Sequence, residues 1–232
     1  MVHVEQPKQS RPANADNVIP MSDSSGTSQN SPIFQRLDTT AGFPYPRSEY
    51  VRRALWELVQ ATLIRFSPRR AHAWRRFWLR QFGAKMADSA GTKSSTLIKH
   101  PWLFSMGEHS MLSERVEIYN LGEVAIGSHT VLSQDVYVCA GTHDYTRPDL
   151  PLIRSTITIG SGVWICAGAF IGPGVVVGDN AVVGARAVAT KSVPPGSIVA
   201  GNPARVVRDR PMQAAASGQS KAQAMRSQPA QT

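Results

Sequence analysis

Four of the six histidines, His100, His109, His129 and His143, fall in the middle of the chain, separated by 9, 20 and 14 residues. Histidines that share a zinc ion normally include a closely spaced pair, and no such pair is present. The two cysteines, Cys139 and Cys166, cannot form a four-thiolate site, so no metal is expected. His143 is singled out differently: it stands at the root of a break in an otherwise regular pattern. A histidine so placed suits proton transfer, because its ordinary pKa lies near the working pH and it can take the proton of a hydroxyl. Farther along, Lys191, Arg205 and Arg208 are side chains of the kind that hold phosphates.

The pattern that must position these groups has a period of six. From Ile159 the sequence divides into IGSGVW, ICAGAF, IGPGVV, VGDNAV and VGARAV. The fifth positions, Val163, Ala169, Val175, Ala181 and Ala187, are small or β-branched. Walking back gives IGSHTV from Ile126, LSQDVY from Leu132 and VCAGTH from Val138, then LSERVE from Leu112 and IYNLGE from Ile118 after a two-residue slip. Neither a plain strand nor a helix has this period. A short strand plus a corner does, and three such faces close a triangular prism with about 18 residues per coil and coils about 4.8 Å apart. Glycine after the leading aliphatic residue is read as relieving the corner. The fold class is an all-β solenoid, a parallel β-helix of hexapeptide repeats stabilised by its neighbouring coils.

Between VCAGTH and a resumption at Ile153, nine residues, 144–152, are extra. A solenoid extrudes such a segment as a loop, and loops on a rigid scaffold are where function collects. With nine residues looped out, Cys139 and Cys166 fall one coil apart at the same hexad position, as neighbouring reduced thiols that fill space.

The flanks differ in kind. Residues 1–45 and 211–232 are rich in polar residues and read as disordered tails. The opening MVHVEQPKQSRPANADNV has no apolar core of signal-peptide length, so export by that route is not expected and a reducing, cytoplasmic setting is the default. Residues 155–178 carry no charge, but their six glycines and Pro173 argue against a membrane-spanning helix. The net charge of +9 is concentrated: Arg47 to Lys85 holds ten basic residues against Glu49 and Glu57. In that segment Val51, Ala54, Leu55, Leu58, Val59, Thr62 and Phe66 predict an amphipathic helix over 48–66 capped by Ser48. Ser67-Pro68 predicts the start of a second helix that ends at Gly83, with Ala71, Trp74, Phe77, Trp78 and Phe82 on one side and Arg75, Arg76 and Arg80 elsewhere. This hairpin, 46–84, has two readings. Its apolar stripes pack on the solenoid, residues 85–210, with the arginines solvated, or its Trp and Phe residues settle on an anionic membrane surface. Both hold if only one stripe is used internally. No nucleic-acid-binding motif accompanies the charge, and nucleic acid is not expected as a partner.

The repeat resembles the left-handed parallel β-helix of the hexapeptide acyltransferases, and the left hand comes from that resemblance alone. PWLFSMGEHSMLSERVEIYNLGEVAIG, GTHDYTRP and TKSVPPGSIVAGNPARVV resemble the colanic acid biosynthesis acetyltransferases, in the group of the galactoside, maltose and nodulation acetyltransferases, over roughly residues 48–210. The resemblance implies an O-acetyltransferase that uses acetyl-CoA as co-substrate and a sugar hydroxyl as acceptor, in exopolysaccharide biosynthesis. It implies a homotrimer with active sites between subunits. His143 matches the family's general base, while Asp144, Asp135 and a backbone carbonyl all remain open as the group that orients its ring. Asn120 matches a residue that contacts the reacting groups, and its other reading is an asparagine satisfying a coil corner. Trp164 matches an aromatic flanking the site, Ala167 and Ala185 match positions beside the pantetheine arm, and Thr190 and Lys191, followed by Arg205 and Arg208, match contacts at the nucleotide end. A serine or other small-molecule O-acetyltransferase and a non-catalytic structural β-helix are the alternatives. The latter would require neither His143 nor the basic residues near the C-terminus.

Overall fold

The computed structural model describes residues 46–211. The expected tails lie outside these residues, Pro46 and Pro211 being the terminal ones described.

Three parallel ladders of short strands form the faces of a prism. The first carries Lys85–Met86, Phe104–Met106, Val124–Ile126, Ile157–Ile159 and Val176–Val177. The second carries Gly91–Thr92, Met111–Leu112, Val131–Leu132, Trp164–Ile165, Val182–Val183 and Ser197–Ala200, with Arg205–Asp209 added antiparallel at its end. The third carries Leu97–Ile98, Glu117–Tyr119, Tyr137–Cys139, Phe170–Ile171 and Val188–Ala189. The leading aliphatic residues stack coil over coil, as Met106, Ile126, Ile159 and Val177 do on the first face. These and the fifth-position residues Val163, Ala169, Val175, Ala181 and Ala187 form the buried core.

The corners work differently from the sequence reading. The left-handed backbone falls on the fourth hexad position, in Gly162 and also in His109, Arg115, His129, Asp135, Asn180 and Arg186. The glycine after the leading residue answers to crowding instead. A Cβ on Gly160 would lie 2.8 Å from the Asp179 backbone nitrogen of the next coil.

All the length variation sits on one edge, between the third face and the first. The slip after Ile118 recurs one coil earlier, so Met86, Met106 and Ile126 are each 20 residues apart. On the next coil Ile159 stacks on Ile126, 33 residues on, where a plain coil needs about 18. The insertion is therefore fifteen residues rather than nine. Ile153 does not resume the coil: it lies in an antiparallel pair of strands, Gly141–His143 with Leu152–Arg154. The coil resumes at Ile157, because that residue pairs with Val124. This also overturns the cysteine stacking. Cys139 follows Val138, which stacks on Ile171, whereas Cys166 follows Ile165, which stacks on Leu132. The two free thiols lie on different faces.

Only part of each helical stripe packs on the coils: Val59, Trp78 and Phe82 lie against the core, and the rest of the stripes faces outward. The first helix is Arg47–Val59, continued as a π-helical turn Gln60–Ile64, and it begins after Pro46 rather than Ser48. The second is His72–Gln81. It does not start at Pro68, because Ser67 closes the first helix instead, donating its hydroxyl to the Ile64 carbonyl at 2.6 Å. Trp56, Ile64, Arg75 and Leu79 face the coils, while Val51, Leu55, Leu58, Phe66, Trp74 and Phe77 are exposed. The cause is the open end of the solenoid. A parallel ladder leaves one edge of its first strand unpaired. Each face meets a donor from the hairpin there. Arg80 Nε donates to the Met86 carbonyl on the first face, Arg75 Nε to that of Thr92 on the second, and Trp56 Nε1 to that of Ile98 on the third. Gln60 completes the third by accepting from the Ile98 N–H at 2.9 Å. Arg75 is thus buried and bound to backbone, while Arg76 and Arg80 combine a bond to backbone with an ion pair to Asp88 and keep contact with solvent. Among the described residues no helix is long and apolar enough to cross a membrane, and residues 155–178 are coils of the solenoid.

Candidate active site

The fifteen-residue insertion leaves the coil at Ala140 and returns at Ser155, whose N–H donates to the Ala140 carbonyl at 3.0 Å. Gly141 permits the exit, since a Cβ there would lie 2.7 Å from Leu121 Cδ1. The tip braces itself. Asp144 Oδ1 accepts from the Thr146 N–H at 3.0 Å, and Arg147 pairs with Asp149 at 2.7 Å. The Thr146 bonds hold the Asp144 carboxyl below the usual carboxylate range.

His143 ends the outgoing strand, at the tip side of the ladder rather than its root, and is exposed. Its Nδ1 lies 2.6 Å from the carbonyl oxygen of Leu150, a residue held in the left-handed region at φ +43°. A carbonyl can only accept, so Nδ1 carries the proton and Nε2 of the neutral ring presents a lone pair. Of the three orienting groups left open by the sequence, the backbone carbonyl fills the role. Asp144 is bonded to Thr146, and Asp135 is paired with Arg115 at 2.6 Å, which lowers its pKa. A histidine fixed in one tautomer on an exposed hairpin, with no bond to its Nε2 among the described residues, can accept a proton from a bound hydroxyl.

Asn120 lies below it on the same edge and is 0 % exposed. Its Oδ1 accepts from the His100 N–H at 2.9 Å and its Nδ2 donates to the His100 carbonyl at 2.6 Å. The His100 ring returns a bond from Nδ1 to the Asn120 carbonyl at 2.9 Å. The carboxamide thus spends one acceptor and one donor on the coil beneath, as an asparagine at a coil corner does.

Thr190 and Lys191 lie on the same edge, both exposed. Thr190 follows Ala189, which stacks on Ile171, and that residue stacks on Val138. They therefore stand two coils, about 10 Å, above the point where the hairpin leaves. The other candidates are elsewhere. Trp164 projects from the second face, 49 % exposed, with Nε1 donating to Ser133 Oγ at 3.0 Å. Ala167 and Ala185 follow on the next corner, one coil apart, with the Arg186 N–H bonded to the Ala167 carbonyl at 2.9 Å. Arg205 and Arg208 lie exposed on the antiparallel strand that ends the second face. No ion pair engages Lys191, Arg205 or Arg208 among the described residues.

One chain thus divides the candidates between two edges of the prism: His143, Asn120, Thr190 and Lys191 on one, Trp164, Ala167 and Ala185 on or beside another. Sequence reasoning missed Leu150, whose role depends on a left-handed φ that no glycine announces. It also missed Arg210, which donates to the Gly162 carbonyl at 2.8 Å and lines an open groove of about 350 Å³ with Trp164 and His129. No group of three or more His, Cys, Asp or Glu residues that could hold a metal ion occurs among the described residues.

The family model described as bacterial transferase hexapeptide (six repeats) matches residues 156–191. A protein of Escherichia coli K12 named "Putative colanic acid biosynthesis acetyltransferase WcaF" is 38% identical over 178 residues, which is 75% of this chain and 98% of that protein. A maltose O-acetyltransferase structure from Clostridium difficile 630 superposes with a TM-score of 0.65 at 24% identity, covering 72% of this chain and 90% of the other. A galactoside acetyltransferase solved in complex with coenzyme A gives a TM-score of 0.65 at 23% identity, covering 72% of this chain and 84% of the other. At such identities the two structures speak for the shared solenoid.

Proposed function

This chain belongs to the hexapeptide-repeat acetyltransferase family of WcaF, and on that footing we propose that it moves the acetyl group of acetyl-CoA to a sugar hydroxyl in exopolysaccharide biosynthesis. The observation that carries the reading is the bond from His143 Nδ1 to the Leu150 carbonyl, which leaves Nε2 free on a hairpin anchored to rigid coils. In the reaction Nε2 takes the proton of the acceptor hydroxyl as its oxygen attacks the thioester carbonyl carbon. The tetrahedral intermediate collapses with cleavage of the C–S bond, and the proton passes from the imidazolium to the departing thiolate, giving an acetyl ester and free CoA. The Asn120 side chain, bonded twice to the His100 backbone, supports the edge from which the hairpin leaves.

The donor is a substrate that the exposed residues suit. Ala167 and Ala185 leave room for an extended pantetheine arm, and Lys191, Arg205 and Arg208, which have no ion-pair partner among the described residues, offer cations to its phosphates. Because the candidates lie on two edges, a complete site calls for a second copy of the chain. We take the assembly to be a homotrimer whose sites form where the His143 edge of one subunit meets the Trp164 face of its neighbour. We take it to work in the cytoplasm, with the basic, Trp-bearing hairpin holding it against the inner membrane surface.

The test combines calorimetric titration of the trimer with acetyl-CoA and a turnover assay on a panel of saccharides, repeated on His143→Ala. Donor binding retained with turnover reduced about 10²- to 10⁴-fold is the expected result. Turnover equal to that of the unaltered chain would sink the mechanism, and no donor binding by a folded trimer would remove the acetyl-CoA reading.

A further inference from the structure

We propose that the outward face of the helical cap docks on a bilayer that contains anionic phospholipid, with the three caps of a trimer engaging it together. This deepens the reading of the chain as a peripheral trimer and rests on it for the number of caps.

The face is continuous. On the first helix Val51, Leu55 and Leu58 follow one another at helical spacing, and all three are exposed. Phe66, in the connection, is 83 % exposed. On the second helix Trp74 and Phe77 stack with ring centroids 6.4 Å apart. Trp74 Nε1 donates to the Leu63 carbonyl at 3.0 Å, which ties the two helices together across this surface. The stripe cannot turn inward, because the opposite side of the hairpin is committed to the open edge of the first coil through Arg75, Arg80 and Trp56.

The charge beside the stripe selects the occupant. Arg65, Arg69 and Arg70 cluster in the connection around Phe66, are exposed, and have no ion-pair partner among the described residues. Only Glu49 and Glu57 oppose the ten basic residues between Arg47 and Lys85. Aromatic side chains favour the level of the lipid headgroups, and arginines beside them meet lipid phosphate. A protein partner with an apolar groove would satisfy the stripe alone. An anionic bilayer satisfies stripe and cations at once.

Geometry adds multiplicity. Since the hairpin closes the end of the coils, its outward side looks along the solenoid axis. Flat prism sides packed round a three-fold axis parallel to the coils place three such faces at the same end of the assembly. Three weak contacts on one plane then act with a common effective concentration.

The test is flotation of the full-length protein with vesicles of phosphatidylcholine alone or with phosphatidylglycerol added, at low and high salt. Light scattering gives its mass without lipid. Expected is binding to the phosphatidylglycerol vesicles, at least about tenfold stronger than to phosphatidylcholine and weakened by salt. Phe66→Ser with Phe77→Ser, and separately Arg65→Gln with Arg69→Gln and Arg70→Gln, should each lower it about tenfold or more while the mass stays unchanged. The proposal is overturned if the folded trimer ignores phosphatidylglycerol vesicles, or if binding survives both sets of substitutions. It also fails if the free protein has the mass of two trimers that the phenylalanine variant separates, since the face would then join copies. Titration with CoA runs alongside. Donor binding without vesicle binding overturns this proposal alone, and the reverse overturns acetyl transfer alone.

Discussion

Arg75→Met tests whether the cap is what closes the solenoid. Arg75 is 0 % exposed, and its guanidinium donates to the carbonyl of Thr92 at 2.8 Å, to Ser67 Oγ and the Pro68 carbonyl at 2.9 Å each, and to the Arg69 carbonyl at 3.1 Å. Removing one partner of a buried charge network costs about 3–5 kcal/mol when the other charge is stranded. Here no counter-charge is stranded, methionine keeps the aliphatic stem, and the carbonyls of Pro68 and Arg69 lie in an exposed connection where water replaces the bonds. The Thr92 carbonyl is the buried acceptor, and His72 Nδ1 still reaches it at 3.0 Å. What is lost is one charge-assisted buried bond, about 1.5–3 kcal/mol, together with the ordering of the 65–71 connection. The sum is about 2–4 kcal/mol. For a unit of this size that lowers the thermal midpoint by about 5–15 °C. Circular dichroism melts of Arg75→Met beside Arg76→Met provide the scale, since Arg76 makes one hydrogen bond, to the Ala90 carbonyl, and a 4.0 Å ion pair with the exposed Asp88, and should cost about 1 kcal/mol. The freed strand edge should also show as end-to-end association by light scattering. A midpoint within 1 °C of the parent, with a single unchanged mass, would refute the idea that these donors protect the open edge.

Leu150→Pro should lower kcat about 10- to 100-fold with donor affinity unchanged and the thermal midpoint down by only a few degrees, because proline cannot adopt the φ of +43° that aims the carbonyl at His143 and loses the N–H bond to the Arg147 carbonyl in an exposed loop. An unaltered kcat in steady-state assays would mean that the imidazole needs no such guide. Lys191→Ala should weaken CoA about tenfold by calorimetry while leaving binding of dephosphorylated pantetheine unchanged. Equal losses for both ligands would place Lys191 away from the phosphates. Stability should fall as the pH drops from 7.5 to 5. Burial, and then Arg75 beside it, lower the pKa of His72, and burial lowers that of His100. The unfolded chain then takes up protons that the folded chain refuses, and stability is lost as pH falls through the ordinary histidine range near 6.5. Melts at several pH values check this, and a midpoint that rises on acidification would contradict it.

The hexads were legible because the inward ladder imposes its own period, and Ile159, Ile165 and Ile171 could be aligned by composition alone. The length of the insertion was not, because Ile153 and Ile159 are both isoleucines and either fits above Ile126. Only the pairing of 157–159 with 124–126 decides between them. The helical stripes were legible as stripes, but amphipathicity does not say which side a neighbour needs. The neighbour here is a row of unpaired carbonyls at Met86, Thr92 and Ile98, and it attracts arginine and tryptophan donors in preference to Leu55 or Phe66. At the candidate site, His143 stood out by its place at the break in the repeat. Its orienting group did not, because nothing in the residue type of Leu150 announces a left-handed carbonyl.

Why the chemistry gathers where it does follows from the ladder itself. A strand on a face must keep register with the coils above and below, so residues can be added only at corners. Added at all three corners, they would ruin every flat side. Here they are confined to the edge between the third face and the first: two extra residues on each of the first two coils and fifteen on the next. That edge carries Asn120 in its wall, His143 on its hairpin and Lys191 two coils above. Each of the other edges has been kept short enough for the adjoining faces to stay flat, so that in the proposed trimer a neighbouring copy would bring Trp164, with Ala167 and Ala185 beside it, against the hairpin. One constraint, the register of a parallel ladder, thus leaves a single place for a catalytic loop and preserves the surfaces that would complete its site.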